Sequence, residues 1–212
     1  MKGKSYPVTF NIKYKKNHDK MTTFFRLLWS LPIIVIMGVL TAGGDSETYS
    51  REASKSISVS SGGIVMGLFI ATALMILFRQ KYPKWWFSFN LELNRFSSRI
   101  GAYILLLTDA YPLTDDEQDV QLDVVYPNVK KDLNKWLPFV KWLLALPHYV
   151  VLVFLIIGVF FGTAFAWFSI LFTGNYPKPI FDFVVGVLRW GNRVNAYAFI
   201  LTTDKYPPFQ LD

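Results

Sequence analysis

Two pairs of arginines stand in a chain that is otherwise dominated by apolar residues: Arg95 with Arg99, and Arg189 with Arg193. Four residues is about one turn of helix, so each pair shares a face and its two guanidiniums can grip one anion. The planar fork of a guanidinium fits phosphate bidentately, which points to a lipid headgroup or another phosphate at a membrane interface. The competing reading is an internal ion-pair network. In that network Glu92 pairs with Arg95, and Asp109, Asp182 and Asp204 meet arginines of either pair. Ionisable groups in apolar surroundings are functional suspects, yet they usually pair with one another.

Other reactive side chains form no constellation. Asp109 in "LTDAYP" and Asp204 in "TTDKYP" follow a threonine and precede Tyr-Pro, where Thr-Asp caps a turn more often than it serves as an acid. "TDDEQD", Thr114 to Asp119, lacks the spaced ligands and turn glycine of a calcium loop and reads as a solvated connector. The two histidines, His18 and His148, sit in unlike contexts and build no zinc triad. His148 follows Pro147 and reads as a hydrogen-bonded residue at a helix start, with a proton relay as the alternative. The absence of cysteine removes disulfides, thiolate metal sites and cysteine nucleophiles. The glycines of "LFTGNYP" and "SGG" do not form a phosphate-cradling loop. No catalytic residue, no metal and no cofactor are therefore expected.

The elements that carry these residues are read from composition and pattern. Hydrophobic residues make up 52% of the chain and charged residues 17%, below the ~25% charged of a soluble domain. The apolar residues are bunched, and "HYVVLVFLIIGVFFGTAFAWFSILFTG" exceeds the ~20 residues a helix needs to cross a bilayer. An integral membrane protein is expected. The net charge of +7 then reads as basic residues beside anionic lipid rather than as a nucleic-acid surface. The polar start "MKGKSYPVTFNIKYKKNHDK" has no apolar core and is not expected to be a cleaved signal peptide.

A near-duplication organises the chain. Shifting the C-terminal stretch back by 94 residues sets Tyr176, Pro177, Phe181, Arg189, Arg193 and Tyr197 on Tyr82, Pro83, Phe87, Arg95, Arg99 and Tyr103. One residue later, Thr203, Asp204, Tyr206 and Pro207 match Thr108, Asp109, Tyr111 and Pro112. Upstream, "FFRLLWSLP" resembles "FVKWLLALP", and the alternating stretches "YPVTFNIKY" and "DVQLDVVYP" lie ahead of them. The expectation is two tandem repeats, 1–117 with a polar loop insertion at 43–63, and 118–212. Each repeat is read as a short cytoplasmic strand, a transmembrane helical hairpin and an interfacial amphipathic helix. That gives a mainly α membrane protein with about four crossings. The polar loop cannot lie in hydrocarbon, and a hairpin in each half keeps most lysines and arginines on the cytoplasmic side.

The repeated phrase itself is not expected to cross, because each arginine at mid-membrane costs about 2.5–3.5 kcal/mol on insertion scales. Asp182, Arg189, Asn192, Arg193 and Ala196 fall in one narrow stripe at 100° per residue, with apolar residues over the rest. The strands at Val8–Tyr14 and Val120–Tyr126 are expected to pair and cover the two amphipathic helices. Six prolines (Pro7, Pro83, Pro112, Pro127, Pro177 and Pro207) follow a tyrosine. They read as punctuation at the membrane–water boundary.

The stretches "KWLLALPHYVVLVFL" and "AWFSILFTGNYPKPIFDFVVGVLRWGNRVNAYAFILTTDKYPPF" resemble a family of prokaryotic integral-membrane proteins known only as a domain of unknown function. The resemblance implies a prokaryotic membrane location and a duplicated domain, and it carries over no catalytic residue. The first copy departs from the pattern, with "FSFNLELNRF" in place of "FDFVVGVLRW". The expected function is a non-enzymatic membrane scaffold or accessory subunit of a larger complex that binds lipid headgroups. Its partners would be membrane lipids and other membrane-protein subunits, or further copies of itself. The inner membrane with cytoplasmic termini is the expected location. The alternatives are a small transporter or channel, or an enzyme acting on a phospholipid or isoprenoid phosphate.

Overall fold

The computed structural model describes residues 6–41, 45–47, 58–60, 63–113 and 118–212. In chain order the elements begin with β1 (Val8–Ile12), α1 (Lys20–Phe24), α2 (Arg26–Thr41), β2 (Asp45–Glu47), β3 (Ser58–Ser60) and α3 (Ile64–Leu74). A π-helical turn, Met75–Arg79, extends α3. Then come α4 (Lys84–Ile104), β4 (Val120–Val124), α5 (Val129–Asp132), α6 (Pro138–Leu144), α7 (Leu146–Thr173) and α8 (Lys178–Ala198).

Alternation of apolar and polar residues produces the strands. β1 and β4 pair antiparallel with Phe10 opposite Leu122, and Val8, Phe10, Ile12, Val120 and Leu122 are buried on one face. That face rests on two helices, β1 on α8 and β4 on α4. β1 thus lies on the helix from the other end of the chain, and β4 on the helix that just precedes it. The helices run antiparallel. The Tyr82 hydroxyl, ahead of α4, donates to the Ile200 carbonyl at 3.2 Å, and the Tyr176 hydroxyl, ahead of α8, donates to Leu105 at 3.5 Å. Between them the Asn195 amide donates to Asn94 at 2.6 Å. Both tyrosines are fully buried, so these two Tyr-Pro corners lock helix ends together inside the protein instead of marking its wet boundary.

A second helical layer covers the first. On α4, Arg95 reaches the sheet, whereas Ser97, about 200° around the helix, meets Met37 of α2. On α8, Arg189 reaches β1, whereas Phe183 and Ile180 abut Gly158 and Gly162 of α7. The order is therefore sheet, then α4 with α8, then α2, α3 and α7. The buried stripe of α7 (His148, Val159, Ala166 and Ile170) recurs at helical spacing, and the rest of that helix is largely exposed and apolar.

The expected two tandem repeats with about four crossings are corrected by this architecture. One helix, α7 with 28 residues, is long and apolar enough to cross a membrane. It continues without a break through Gly158–Gly162, where a hairpin turn was expected. Those two glycines sit on the packed face, where a Cβ would lie 3.2 Å from Phe183 at Gly158 and 3.1 Å from Ile180 at Gly162, closer than ordinary van der Waals contact. Their role is close packing. In the first half, α2 and the α3 segment ending at Arg79 are shorter than a span. The loop expected at 43–63 contains the paired strands β2 and β3; residues 43–44, 48–57 and 61–62 lie outside the described ones.

Helix α8 does not present its apolar face freely to an interface. Eleven residues of α8 are buried, because α7 covers the apolar face that was assigned to acyl chains.

Candidate functional site

The stripe on each amphipathic helix faces the sheet, and this decides what the arginines touch. Arg95 donates from Nε to the Leu122 carbonyl at 2.8 Å and from its two Nη groups to the carboxylates of Glu92 and Asp123, both at 2.6 Å. Arg99 is buried and donates to the Leu113 carbonyl at 2.6 Å. Arg189 donates to the carbonyls of Phe10, at 2.9 Å, and Leu211, at 3.0 Å. Arg193 donates to Gln210 and Asp212. Phe10 and Leu122 face each other across the sheet, so Arg95 and Arg189 cap the outer carbonyls of its two edges. Unpaired edge groups of that kind otherwise recruit a further strand.

The two pairs differ in access. Arg95 and Arg99 line an open cleft of about 710 Å³ together with Gln118, Asp119, Gln121 and Asp123. Arg189 and Arg193 are covered by residues 210–212. Of the "TDDEQD" segment, Gln118 and Asp119 line this cleft, and residues 114–117 lie outside the described ones.

The aspartates expected on the arginine pairs go elsewhere. Asp182 pairs with Lys178 on the surface. Asp109 binds Arg26 at 2.7 Å, His18 at 3.0 Å and Lys15 at 3.4 Å. The Arg26 guanidinium also donates to the carbonyls of Tyr103 and Thr108 and lies over the Tyr103 ring at 4.4 Å. Both nitrogens of His18 face acceptors, the Asp109 carboxylate and the Lys15 carbonyl. The two bonds form together only when the ring carries both protons. Burial alone would raise the Asp109 carboxyl. The hydrogen bonds and charges of His18 and Arg26 outweigh it and hold that group well below the usual carboxylate range.

A second clamp has the same plan. The Lys141 ammonium is buried, donates to the Thr203 carbonyl at 2.7 Å, pairs with Asp204 at 2.6 Å and lies over the Tyr197 ring. Burial pushes its pKa down, and Asp204 opposes that shift. Asp204 in turn accepts from the Asn134 amide.

Arg26 and Lys141 are the site residues that sequence reasoning missed. The signal was present: each is the lone cation in one of the matched runs "FFRLLWSLP" and "FVKWLLALP".

His148 accepts from the Trp190 indole at 3.1 Å and stacks on Phe209 at 4.0 Å between ring centroids. It anchors the start of α7 to α8 and the C-terminal segment. No cluster of three histidine, aspartate or glutamate residues that could hold a metal occurs among the described residues.

Residues 138–210, comprising α6, α7, α8 and the Asp204 clamp, match the model of a domain of unknown function (DUF4389). Comparison with curated proteins and with solved structures finds no match.

Proposed function

We propose that the protein is a non-enzymatic, membrane-bound scaffold or accessory subunit on the cytoplasmic side of a prokaryotic inner membrane. Its outer helical layer meets lipid, and its sheet side faces a partner subunit. One observation carries this reading. The large exposed apolar residues concentrate on α2, α3 and α7 (Leu27, Val35, Ile70, Phe154, Phe161 and Phe172 among them), whereas the outer face of the sheet presents Thr9, Asn11, Gln121 and Asp123. An apolar area of that extent is not left in water. The excess of basic residues favours the cytoplasmic leaflet. Lipid contact is here assigned to the apolar layer and surrounding lysines, since the four arginines already serve the strands and the C-terminal segment.

A second cleft on the sheet side, about 720 Å³, is lined by Tyr6, Thr9, Asp123, Tyr126, Asp132 and Lys205. It is the surface on which a partner would dock. The test is purification from native membranes in mild detergent, with quantitative mass spectrometry of the wild type and of an Asp123→Arg, Asp132→Arg double variant. A stoichiometric partner lost in the variant is the expected result. Recovery of the wild type without any partner, or equal recovery from both, removes the accessory-subunit reading.

A further inference from the structure

We infer that α7 lies along the plane of one leaflet instead of crossing the bilayer, so that the protein is held by a single broad apolar face. This rests on the reading that the outer helical layer meets lipid.

Helix α7 is not an isolated rod. It packs antiparallel along α8, with His148 against Trp190 near one end, Gly158 against Phe183 in the middle, and Gly162 against Ile180 further on. Helix α8 is fastened to β1 through Arg189 and Phe10. The three elements form one body, and any tilt of α7 tilts the sheet with it.

With 28 residues, α7 is about 42 Å long, against a hydrocarbon core of ~30 Å. Set upright, it would carry the exposed Lys178–Asp182 ion pair of α8, which flanks Ile180 and Phe183, to the depth of its own middle. Charged groups are excluded from that depth. Both ends of the helix also belong to the same water-facing body. Lys20 donates to the Phe172 carbonyl at one end, and the Tyr206 hydroxyl donates to Leu144 just before the other.

Laid flat, the same helix has no conflict. Its exposed stripe, from Val150 through Phe154, Ile157, Phe161 and Phe165 to Phe172, enters the acyl region of one leaflet. The sheet stays in water on the far side of α4 and α8. The occupant of this face is therefore one leaflet of an anionic bilayer, matched by the net charge of +7.

The chain has no cysteine, so single cysteines can be placed at Leu146, Ile157 and Phe172, which are all exposed. The full-length variants are reconstituted in vesicles of phosphatidylethanolamine and phosphatidylglycerol. The depth of a spin label at each position is measured, together with labelling of Leu146→Cys and Phe172→Cys by an impermeant maleimide added outside. The expected result is similar shallow depth at all three positions, with both end positions sharing the same sidedness. A deep Ile157→Cys between two shallow ends, one on each side of the vesicle, overturns the in-plane placement while leaving membrane binding intact. Protein that fails to float with vesicles overturns the membrane reading itself. An Ile157→Cys disulfide dimer whose yield is unchanged by diluting the protein in excess lipid assigns the face to a second copy, and likewise overturns the proposal.

Discussion

Asp109 is the carboxylate most surrounded by cations, with Arg26, His18 and Lys15 around it. Arg26 is buried and cannot shed its proton. Asp109→Asn therefore strands a charge, and thermal or denaturant unfolding in detergent is expected to show a loss of about 3–5 kcal/mol. The pH dependence has a definite sign. A carboxyl held below its unfolded value, near ~4, contributes stability that is complete above that value and is lost as the pH falls beneath it. The wild type should lose stability below about pH 4, and Asp109→Asn should flatten that part of the curve. At the other clamp, Asp204→Asn leaves a lysine, which can deprotonate. Its pKa is already pushed down by burial, so the unfolded chain binds more protons and stability rises with pH. The Asp204→Asn variant should lose less than Asp109→Asn at neutral pH and recover as the pH approaches ~10. Equal, pH-independent losses at the two positions would contradict this account.

At the scale of elements, the paired glycines of α7 make a prediction that separates packing from helix propensity. A side chain at Gly162 meets Ile180 of α8, whereas a Cβ at Gly191 in α8 meets nothing within 4 Å. Gly162→Leu should cost about 1–3 kcal/mol through overpacking, and Gly191→Ala should gain about 0.5–1 kcal/mol by relieving backbone entropy. Paired melts in one detergent test both, and a gain at Gly162 would mean that α7 and α8 are not in close contact there. The same glycines show what was legible in the sequence. The sheet strands and the two 21-residue amphipathic helices followed from periods of 2 and 3.6, and the pairing of β1 with β4 from their like patterns. The continuity of α7 did not, because the positive-inside bias favoured a hairpin in each half, whereas the close contact of its glycines with α8 is set by how the layers stack. The pairing of Glu92 with Arg95, one turn apart, was legible, but the partners of the other arginines and of Asp109, Asp182 and Asp204 were not. Arg26 meets Asp109 across 83 residues, a contact set by how the layers stack and not by spacing along one helix.

At the scale of the whole molecule, the distribution of charge and apolar area predicts how binding depends on lipid and salt. In the proposed placement, the broad apolar face anchors the protein whatever the headgroup, since its contribution follows buried area. The charge of +7 adds a term only when the surface is anionic, of about 1 kcal/mol for each lysine or arginine near the headgroups. Two or three such residues at the rim, such as Lys20 beside the end of α7, would strengthen binding by roughly one to two orders of magnitude. Flotation with phosphatidylglycerol vesicles should therefore exceed flotation with neutral phosphatidylcholine vesicles at low salt. The difference should shrink toward 1 M salt, where the screening length falls to about 3 Å. The residual binding at high salt should persist and should fall on replacing Phe154, Phe161 and Phe172 with serine. Binding abolished by salt alone would mean that the protein touches the membrane only through its charges, and the exposed helical layer would then need a protein partner to cover it.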